Sequence, residues 1–151
     1  MTTKPIIILL IEDQRMDIEL TLDAFRVSRL ANTVQVVTSG EEAIEYIFGK
    51  GQYQDRQLFP LPDLVLMDLK MPGMDGFEVL KRLQNVPDIK RIPVVFLTSS
   101  KEEGDRALSY DLGANSYLIK PVTFEGLLNV IKKIGNYWVV LNVKLPMNGD
   151  M

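Results

Sequence analysis

The chain has 151 residues, of which 46% are hydrophobic and 25% are charged, and it carries a formal net charge of −3 with no cysteine and no histidine. These totals fit one soluble domain, and they exclude disulfides, the usual zinc sites and any nucleophile activated by a histidine. The net negative charge gives the chain no general attraction to nucleic acid. No apolar run approaches the roughly 20 residues that span a membrane. The apolar run near the N-terminus is too short for a signal peptide. We therefore expect a cytoplasmic protein with no nucleic-acid and no membrane partner.

Five short apolar runs predict strands, and their continuous apolar character is typical of strands buried on both faces. These runs are Ile6–Ile11, Val34–Val37, Asp63–Met67, Pro93–Leu97 and Ser116–Ile119. The second and fifth runs give the weaker signal. The polar segment Gly49–Pro62 before the third strand is long for a connection, so it either makes contacts of its own or is a tolerated surface insertion, and we favour the insertion.

Apolar residues at helical spacing lie between these runs and predict four helices. Their positions are Ile18, Leu22 and Phe25; Ala43, Ile44 and Ile47; Phe77, Leu80 and Leu83; and Ala107, Leu108 and Leu112. Ser39 is expected to cap the second helix, and a fifth helix is expected to begin at Thr123. The alternation of strand and helix predicts an α/β fold, with a parallel sheet covered by helices on both faces and function at the carboxyl ends of the strands.

Chemically active side chains follow four of the five predicted strands. Glu12 and Asp13 follow the first strand, Asp68 the third, Thr98 the fourth and Lys120 the fifth. Because the carboxyl ends of parallel strands lie side by side, we expect these groups to meet in one cleft. Each residue alone has an ordinary explanation as a helix cap, a strand-end hydroxyl or a solvated charge, so the hypothesis depends on the joint pattern.

This set of groups favours phosphoryl chemistry. Three close carboxylates need a cation, and oxygen ligands without histidine or cysteine favour Mg²⁺. A metal ion, an ammonium and a hydroxyl are the groups that stabilise a phosphoryl group. Since the chain has no histidine, the acceptor would be a carboxylate, and an acyl phosphate on aspartate is an established covalent intermediate.

The complete pattern resembles the CheY-like receiver domains of two-component signalling. The matching segments are the pair Glu12-Asp13, MDLKMPGMDG around Asp68, LTSS at Thr98 and YLIKP at Lys120-Pro121, within residues 5–138. The resemblance implies a doubly wound, flavodoxin/CheY-like sheet of five parallel strands in the order 2-1-3-4-5 with five helices. It also implies a receiver domain over residues 1–138, followed by a C-terminal extension over residues 139–151.

The same resemblance implies a role for each matching residue, in a protein that is not a conventional enzyme but catalyses its own Mg²⁺-dependent phosphorylation and dephosphorylation. Asp68 would accept the phosphoryl group from a sensor histidine kinase, and Thr98 and Lys120 would bind that group. Mg²⁺ would be held by Glu12, Asp13, Asp68 and the main-chain carbonyl of Lys70. The Lys120-Pro121 bond would be cis, and Tyr117 would be the switch aromatic that turns inward when Thr98 moves. Asp75, in contrast, is expected to cap the helix that follows it.

Three residues would form the rim of the cleft, namely Lys70, Ser99 and Ser100. In receivers the side chains two residues after the acceptor and two after the threonine tune hydrolysis of the acyl phosphate, and here these are Lys70 and Ser100. Our hypothesis is that the cation of Lys70 shields the phosphoryl group from water or interferes with a phosphatase. In either case Lys70 would set the lifetime of the phosphate without being needed for phosphorylation.

The long loop, DIKRIPVVFLT and the ending YWVVLNVKLP resemble response regulators paired with bacterial phytochromes, which makes a phytochrome the candidate kinase. The last helix has more apolar surface than one core-facing stripe needs, and the extension alternates like a strand. Either the extension covers its own subunit or it forms a homodimer contact, which we favour. The candidate dimer residues are Tyr137, Trp138, Leu141 and Val143. The extension leaves no room for an output domain, so the signal is expected to leave through protein–protein contacts at the face near Tyr117 and the last helix, or by transfer of the phosphoryl group onward.

Two other classes of function compete with a phosphorylated receiver. A pseudo-receiver would act as an interaction module without phosphorylation, and the complete set of Glu12, Asp13, Asp68, Thr98 and Lys120 argues against it. A flavodoxin-like cofactor binder would need a phosphate-binding loop after the first strand, where this chain has the acidic segment EDQRMD instead.

Overall fold

The structure is a computed structural model, and it describes residues 6–27, 32–109, 113–114 and 116–130. Its strands are β1 (Ile6–Ile11), β2 (Asn32–Val37), β3 (Leu64–Asp68), β4 (Val94–Thr98) and β5 (Ser116–Ile119). Its helices are α1 (Arg15–Val27), α2 (Gly40–Phe48), α3 (Gly76–Gln84) and α4 (Lys101–Ser109), a short 3₁₀ turn at Gly51–Tyr53, and α5, described over residues 124–130. All strand pairs are parallel and the order is β2-β1-β3-β4-β5, which confirms the predicted fold.

Three strands differ from the prediction in their boundaries. β2 begins two residues earlier than predicted, at Asn32. β3 and β4 each begin and end one residue later than predicted, so Asp68 and Thr98 are the last residues of their strands. Asp68 pairs in register with Leu97, and Thr98 with Ile119. Backbone pairing continues past the apolar run because a ladder hydrogen bond does not depend on the polarity of the side chain.

Two helix starts follow ordinary capping rules. The Ser39 hydroxyl accepts a hydrogen bond from the backbone N–H of Glu42 at 3.0 Å, which confirms the predicted cap of α2. The Thr123 hydroxyl accepts one from the N–H of Gly126 at 3.0 Å, and the helical residues begin at 124. Thr123 is therefore the capping residue of α5, one position before the first helical residue.

The core lies on both faces of the sheet. Side chains alternate between the faces along each strand, so odd and even positions of β1 enter different clusters. One cluster packs under α2, α3 and α4 and includes Leu9, Ile11, Val65, Met67 and Phe96. The other packs under α1 and α5 and includes Ile8, Leu10, Leu66, Leu97, Phe25 and Leu127. Burial on both faces explains why the strands are continuously apolar.

The long connection before β3 makes contacts of its own, which is the interpretation we had not favoured. The Arg56 guanidinium donates hydrogen bonds to the carbonyl oxygens of Tyr46 at 2.8 Å, Ile47 at 2.5 Å and Phe59 at 3.1 Å. Two of these carbonyls belong to the last turn of α2, where backbone donors are scarce, and that of Tyr46 also accepts a hydrogen bond from the N–H of Gly49 at 3.2 Å. The rings of Tyr46, Tyr53 and Phe59 contact one another with centroids 4.9 to 6.0 Å apart.

Some of the predictions fall on residues that the structure does not describe. These are Leu112, the dimer candidates Tyr137, Trp138, Leu141 and Val143, and the whole extension over residues 139–151. Among the described helices, none combines the length and the apolar character that crossing a membrane requires.

Candidate functional site

The carboxyl end of the sheet forms a cleft that brings the predicted site residues together. Its lining residues are Asp13, Gln14, Asp68, Leu69, Lys70, Thr98, Ser99, Glu103 and Lys120. Glu12 lies beside them, fully buried, with its carboxylate close to those of Asp13 and Asp68. Of the predicted rim residues, Ser99 is exposed and lines this cleft, whereas Ser100 is partly buried and lines an adjoining one with Lys70.

The three acidic residues form a compact cluster. Each of Glu12, Asp13 and Asp68 places a carboxylate oxygen within 4.8 Å of the other two. Glu12 reaches this position because its backbone N–H donates to the carbonyl of Val37 at 3.0 Å, which extends the sheet by one residue beyond β1. The sheet backbone thus sets the position of Glu12, while Asp68 is itself the last residue of β3.

One ammonium group neutralises part of this cluster. The Nζ atom of Lys120 lies 2.9 Å from Oε1 of Glu12, 3.1 Å from Oδ2 of Asp17 and 3.3 Å from Oδ1 of Asp68. The Lys120-Pro121 peptide is cis, as predicted. The backbone N–H of Lys120 donates to the carbonyl of Thr98 at 2.8 Å, so residue 120 stays aligned with β4.

The pKa values of three groups in the cluster are shifted from their usual values. Burial raises the pKa of Glu12 to about 7 although Lys120 opposes the shift, and burial also raises the pKa of Asp68 against the same opposing charge. Burial alone would lower the pKa of Lys120, but its hydrogen bond with Glu12 and the charges of Glu12 and Asp68 raise it. Independently of these shifts, the carboxylates of Glu12, Asp13, Asp17 and Asp68 are gathered around one ammonium, which cannot neutralise all of them.

The donor set fits a hard divalent cation. Within the described residues, Oδ1 of Asp13 is buried and has no hydrogen-bond partner, and Oε1 of Glu12 makes only its ion pair with Lys120. A buried carboxylate oxygen that lacks hydrogen-bond donors destabilises the fold unless a cation binds it. Their chemistry is that of an all-oxygen site, which suits Mg²⁺ or Mn²⁺.

The two aspartates of MDLKMPGMDG have separate positions. Asp68 faces the cleft and accepts a hydrogen bond from the N–H of Lys70 at 3.4 Å. Asp75 is the N-cap of α3 and accepts one from the N–H of Glu78 at 3.0 Å, as predicted. Gly73 has a φ of +75° between them, in the left-handed region that glycine adopts without strain.

Thr98 is held by a residue that the sequence analysis did not identify. Its hydroxyl lies 2.9 Å from Oε1 of Glu103 and 3.0 Å from the carbonyl of Ser100, and it accepts from the N–H of Ser100 at 3.1 Å. The second carboxylate oxygen of Glu103 forms an ion pair with Lys70. The hydrogen bond from Lys70 and that from Thr98 lower the pKa of Glu103.

A sequence signal for Glu103 existed. Ser100 and Glu103 form the S-x-x-E pattern of a capping box, and the Ser100 hydroxyl accepts from the N–H of Glu103 at 3.2 Å. In a complete capping box the glutamate would accept from the serine N–H. Here Thr98 accepts from that N–H instead, so the Glu103 carboxylate is available to Thr98 and Lys70.

Two further residues complete the surroundings of the site. Asp17 is acidic and lies in the first turn of α1, which starts beside the cleft, and that position was the signal that the sequence analysis missed. Tyr117, on β5, is partly buried and its hydroxyl donates to Oδ1 of Asp105 at 2.9 Å. Its ring packs directly against Gly104, where an added Cβ atom would lie 2.5 Å from a ring carbon.

Comparison with known proteins gives a consistent result over most of the chain. Residues 8–132 match the family model described as the response regulator receiver domain. Response regulator Rcp1 of Synechocystis sp. is 36% identical over 142 residues, which cover 94% of this chain and 94% of Rcp1.

The solved structures that are similar to this chain include further response regulators. The bacteriophytochrome response regulator RtBRR has a TM-score of 0.83 and 42% identity, covering 95% of this chain and 86% of that one. The phosphorylated cyanobacterial phytochrome response regulator RcpA has a TM-score of 0.73 and 37% identity, covering 95% and 99%. A Mn²⁺-bound form of Rcp1 has a TM-score of 0.70 and 35% identity, covering 94% and 99%.

Proposed function

The chain belongs to the response regulator receiver family, and we propose that it accepts a phosphoryl group from a sensor histidine kinase on Asp68. The observation that supports this assignment most directly is the position of the Asp68 carboxylate. It ends a central strand, contacts Lys120 at 3.3 Å, and lies within 4.8 Å of two further carboxylates. Asp68 also lines the cleft, and a phosphoryl acceptor needs this combination of an oxygen nucleophile at a cleft and neighbouring cationic charge.

Glu12, Asp13, Asp68 and the main-chain carbonyl of Lys70 would hold Mg²⁺. When bound, the metal would neutralise charge on the phosphoryl oxygens. The existence of a Mn²⁺-bound form of Rcp1 supports a divalent cation at this site. The buried Asp13 oxygen without a hydrogen-bond partner supports it from the chain itself.

The other groups act on the phosphoryl group directly. A carboxylate oxygen of Asp68 would form a bond to phosphorus while the bond from phosphorus to the histidine nitrogen of the kinase breaks. Lys120 is close enough to Asp68 to exchange its present ion pairs for a phosphoryl oxygen, and the Thr98 hydroxyl lines the same cleft. The same site would then hydrolyse the acyl phosphate, so the protein would catalyse its own dephosphorylation.

The signal would leave through protein–protein contacts. Movement of Thr98 towards the phosphoryl group would remove the support that now holds the first turn of α4, and Tyr117 would turn inward. The similarity to RtBRR and RcpA, both of them response regulators of phytochromes, favours a phytochrome as the partner kinase. The proposed homodimer, through Tyr137, Trp138, Leu141 and Val143, concerns residues outside the described part of the chain.

Intact-mass measurement after incubation with acetyl phosphate tests the assignment. We expect a single added phosphoryl group that requires Mg²⁺ and is lost in Asp68→Asn. Asp75→Asn is the matched control, because asparagine is an equally good N-cap and the turn should keep its shape. Wild-type protein that gains no mass with Mg²⁺ would show a phosphorylation-independent interaction module instead.

A further inference from the structure

The Thr98 hydroxyl has a single proton to donate, and Glu103 competes for it. In the structure that proton can reach Oε1 of Glu103 at 2.9 Å or the carbonyl of Ser100 at 3.0 Å. A phosphoryl oxygen on Asp68 would need the same donor. A hydroxyl cannot donate one proton to two acceptors, so binding of the phosphoryl group has to displace Glu103.

Glu103 and a phosphoryl group on Asp68 would also compete for the ammonium of Lys70. Its ammonium forms an ion pair with the second oxygen of Glu103, although its side chain is 79% exposed and the cleft that it lines contains Asp68. Glu103 itself is only 20% exposed and lines the same cleft. The carboxylate therefore withholds two donors from the acceptor site and adds a negative charge where an anion has to bind.

We propose that Glu103 is a positioning residue that restrains Thr98 and Lys70 in the unphosphorylated arrangement and so weakens the binding of a phosphoryl-like anion at Asp68. This inference rests on the proposed function, since it takes Asp68 as the acceptor. Glu103 lies in the first turn of α4, and Asp105 in the same helix accepts a hydrogen bond from Tyr117 at 2.9 Å. Displacement of Glu103 would therefore disturb the helix that also holds Tyr117.

Titration of the full-length chain with beryllofluoride and Mg²⁺, followed by ¹⁹F NMR, measures this restraint. Glu103→Gln keeps the shape of the side chain but removes its charge, and we expect roughly tenfold tighter binding, the size of one charge-assisted hydrogen bond. Glu102→Gln is the matched control. It removes the same charge from the same turn, but Glu102 is exposed and outside the cleft that contains Asp68, so its affinity should stay near that of wild type.

Repeating the comparison in a second variant separates the restraint of Thr98 and Lys70 by Glu103 from simple repulsion between Glu103 and the bound anion. In a Thr98→Val, Lys70→Met protein both donors are gone, so Glu103→Gln should change the affinity no more than Glu102→Gln does. The methyl resonance of Thr98 in the protein without beryllofluoride should also shift in Glu103→Gln and not in Glu102→Gln.

The outcomes distinguish this inference from the proposed function. Equal affinities of wild type and Glu103→Gln, or a gain that persists undiminished in the double-variant background, would overturn the restraint and leave phosphorylation of Asp68 intact. No Mg²⁺-dependent binding by either protein would overturn both proposals. Binding by Glu103→Gln alone would support both and indicate a stronger restraint.

Discussion

The hydroxyl of Tyr117 donates a hydrogen bond to Oδ1 of Asp105 at 2.9 Å. This bond joins β5 to α4, and the neighbouring turn of α4 supplies Glu103, which accepts from Thr98 at 2.9 Å. Between the two acidic residues lies Gly104, against which the Tyr117 ring packs. Three consecutive residues of α4, less than one helical turn, thus contact both residues proposed as the switch, and the first two predictions test these contacts.

Asp105→Asn should lower the pKa of Tyr117. In the wild type the hydrogen bond to Asp105, with burial and the carboxylate charge, raises this pKa above its usual value near 10. The neutral phenol therefore contributes stability that is present below about pH 10 and is lost as the pH rises through the higher folded pKa. Ultraviolet difference titration against Tyr117→Phe isolates this phenol. An unchanged titration in Asp105→Asn would show that the bond has no influence on Tyr117.

Gly104→Ala should displace the Tyr117 ring. The added methyl group would lie 2.5 Å from a ring carbon, so we expect a loss in the free energy of unfolding of about 1–3 kcal/mol, even though alanine favours a helix. Gly126→Ala in α5 is the control, since its nearest neighbour is the Thr123 hydroxyl at 3.2 Å and the change should be within about 1 kcal/mol. Urea unfolding of both variants checks this, and equal losses would contradict the packing of Tyr117 on Gly104.

Mg²⁺ should raise the stability of the wild type and have little effect on Asp13→Asn. A cation that binds only the folded state at ten times its dissociation constant stabilises it by about 1.4 kcal/mol. Thermal unfolding with Mg²⁺ and with a chelator measures the difference. Asp23→Asn, in an exposed ion pair with Arg26, is the control that should keep the full increment. If Mg²⁺ stabilised Asp13→Asn as much as the wild type, the cation would bind at another site.

Lys70→Ala should shorten the lifetime of the acyl phosphate several-fold and leave its formation intact. The side chain is exposed and now contacts Glu103, so it is able to reach the cleft and exclude water once Glu103 is displaced. Decay of the phosphorylated protein, followed by intact mass, gives the half-life. Equal half-lives of variant and wild type would refute the shielding hypothesis.

Arg56→Ala should destabilise the fold by about 2 kcal/mol, because three carbonyl oxygens lose a charged donor. Arg82→Ala is the control, since the side chain of Arg82 forms, among the described residues, an exposed helical pair with Glu78 that should contribute less than about 0.5 kcal/mol. The two free energies of unfolding decide this, and a loss no larger than that of the control would mean that the loop contacts add little.

The sequence by itself determined the fold and the members of the acidic cluster. Continuous apolar runs require strands buried on both faces, and their alternation with amphipathic helices leaves a parallel sheet as the solution. The polar residues that end those runs, such as Asp68 and Thr98, then have to lie at one edge of the sheet. For the same reason the sequence pattern alone predicts that Glu12, Asp13 and Lys120 lie in the same cleft.

Only the tertiary structure decided which neighbours these residues have. Asp17 reaches Lys120, and Glu103 reaches Thr98 and Lys70, from helices whose distance and rotation relative to the strand ends depend on how the whole core packs. Arg56 likewise finds the end of α2 only because the loop folds back over it. A periodic pattern fixes which face of a helix is buried, but the contacts at its ends depend on packing between elements that are distant in the chain.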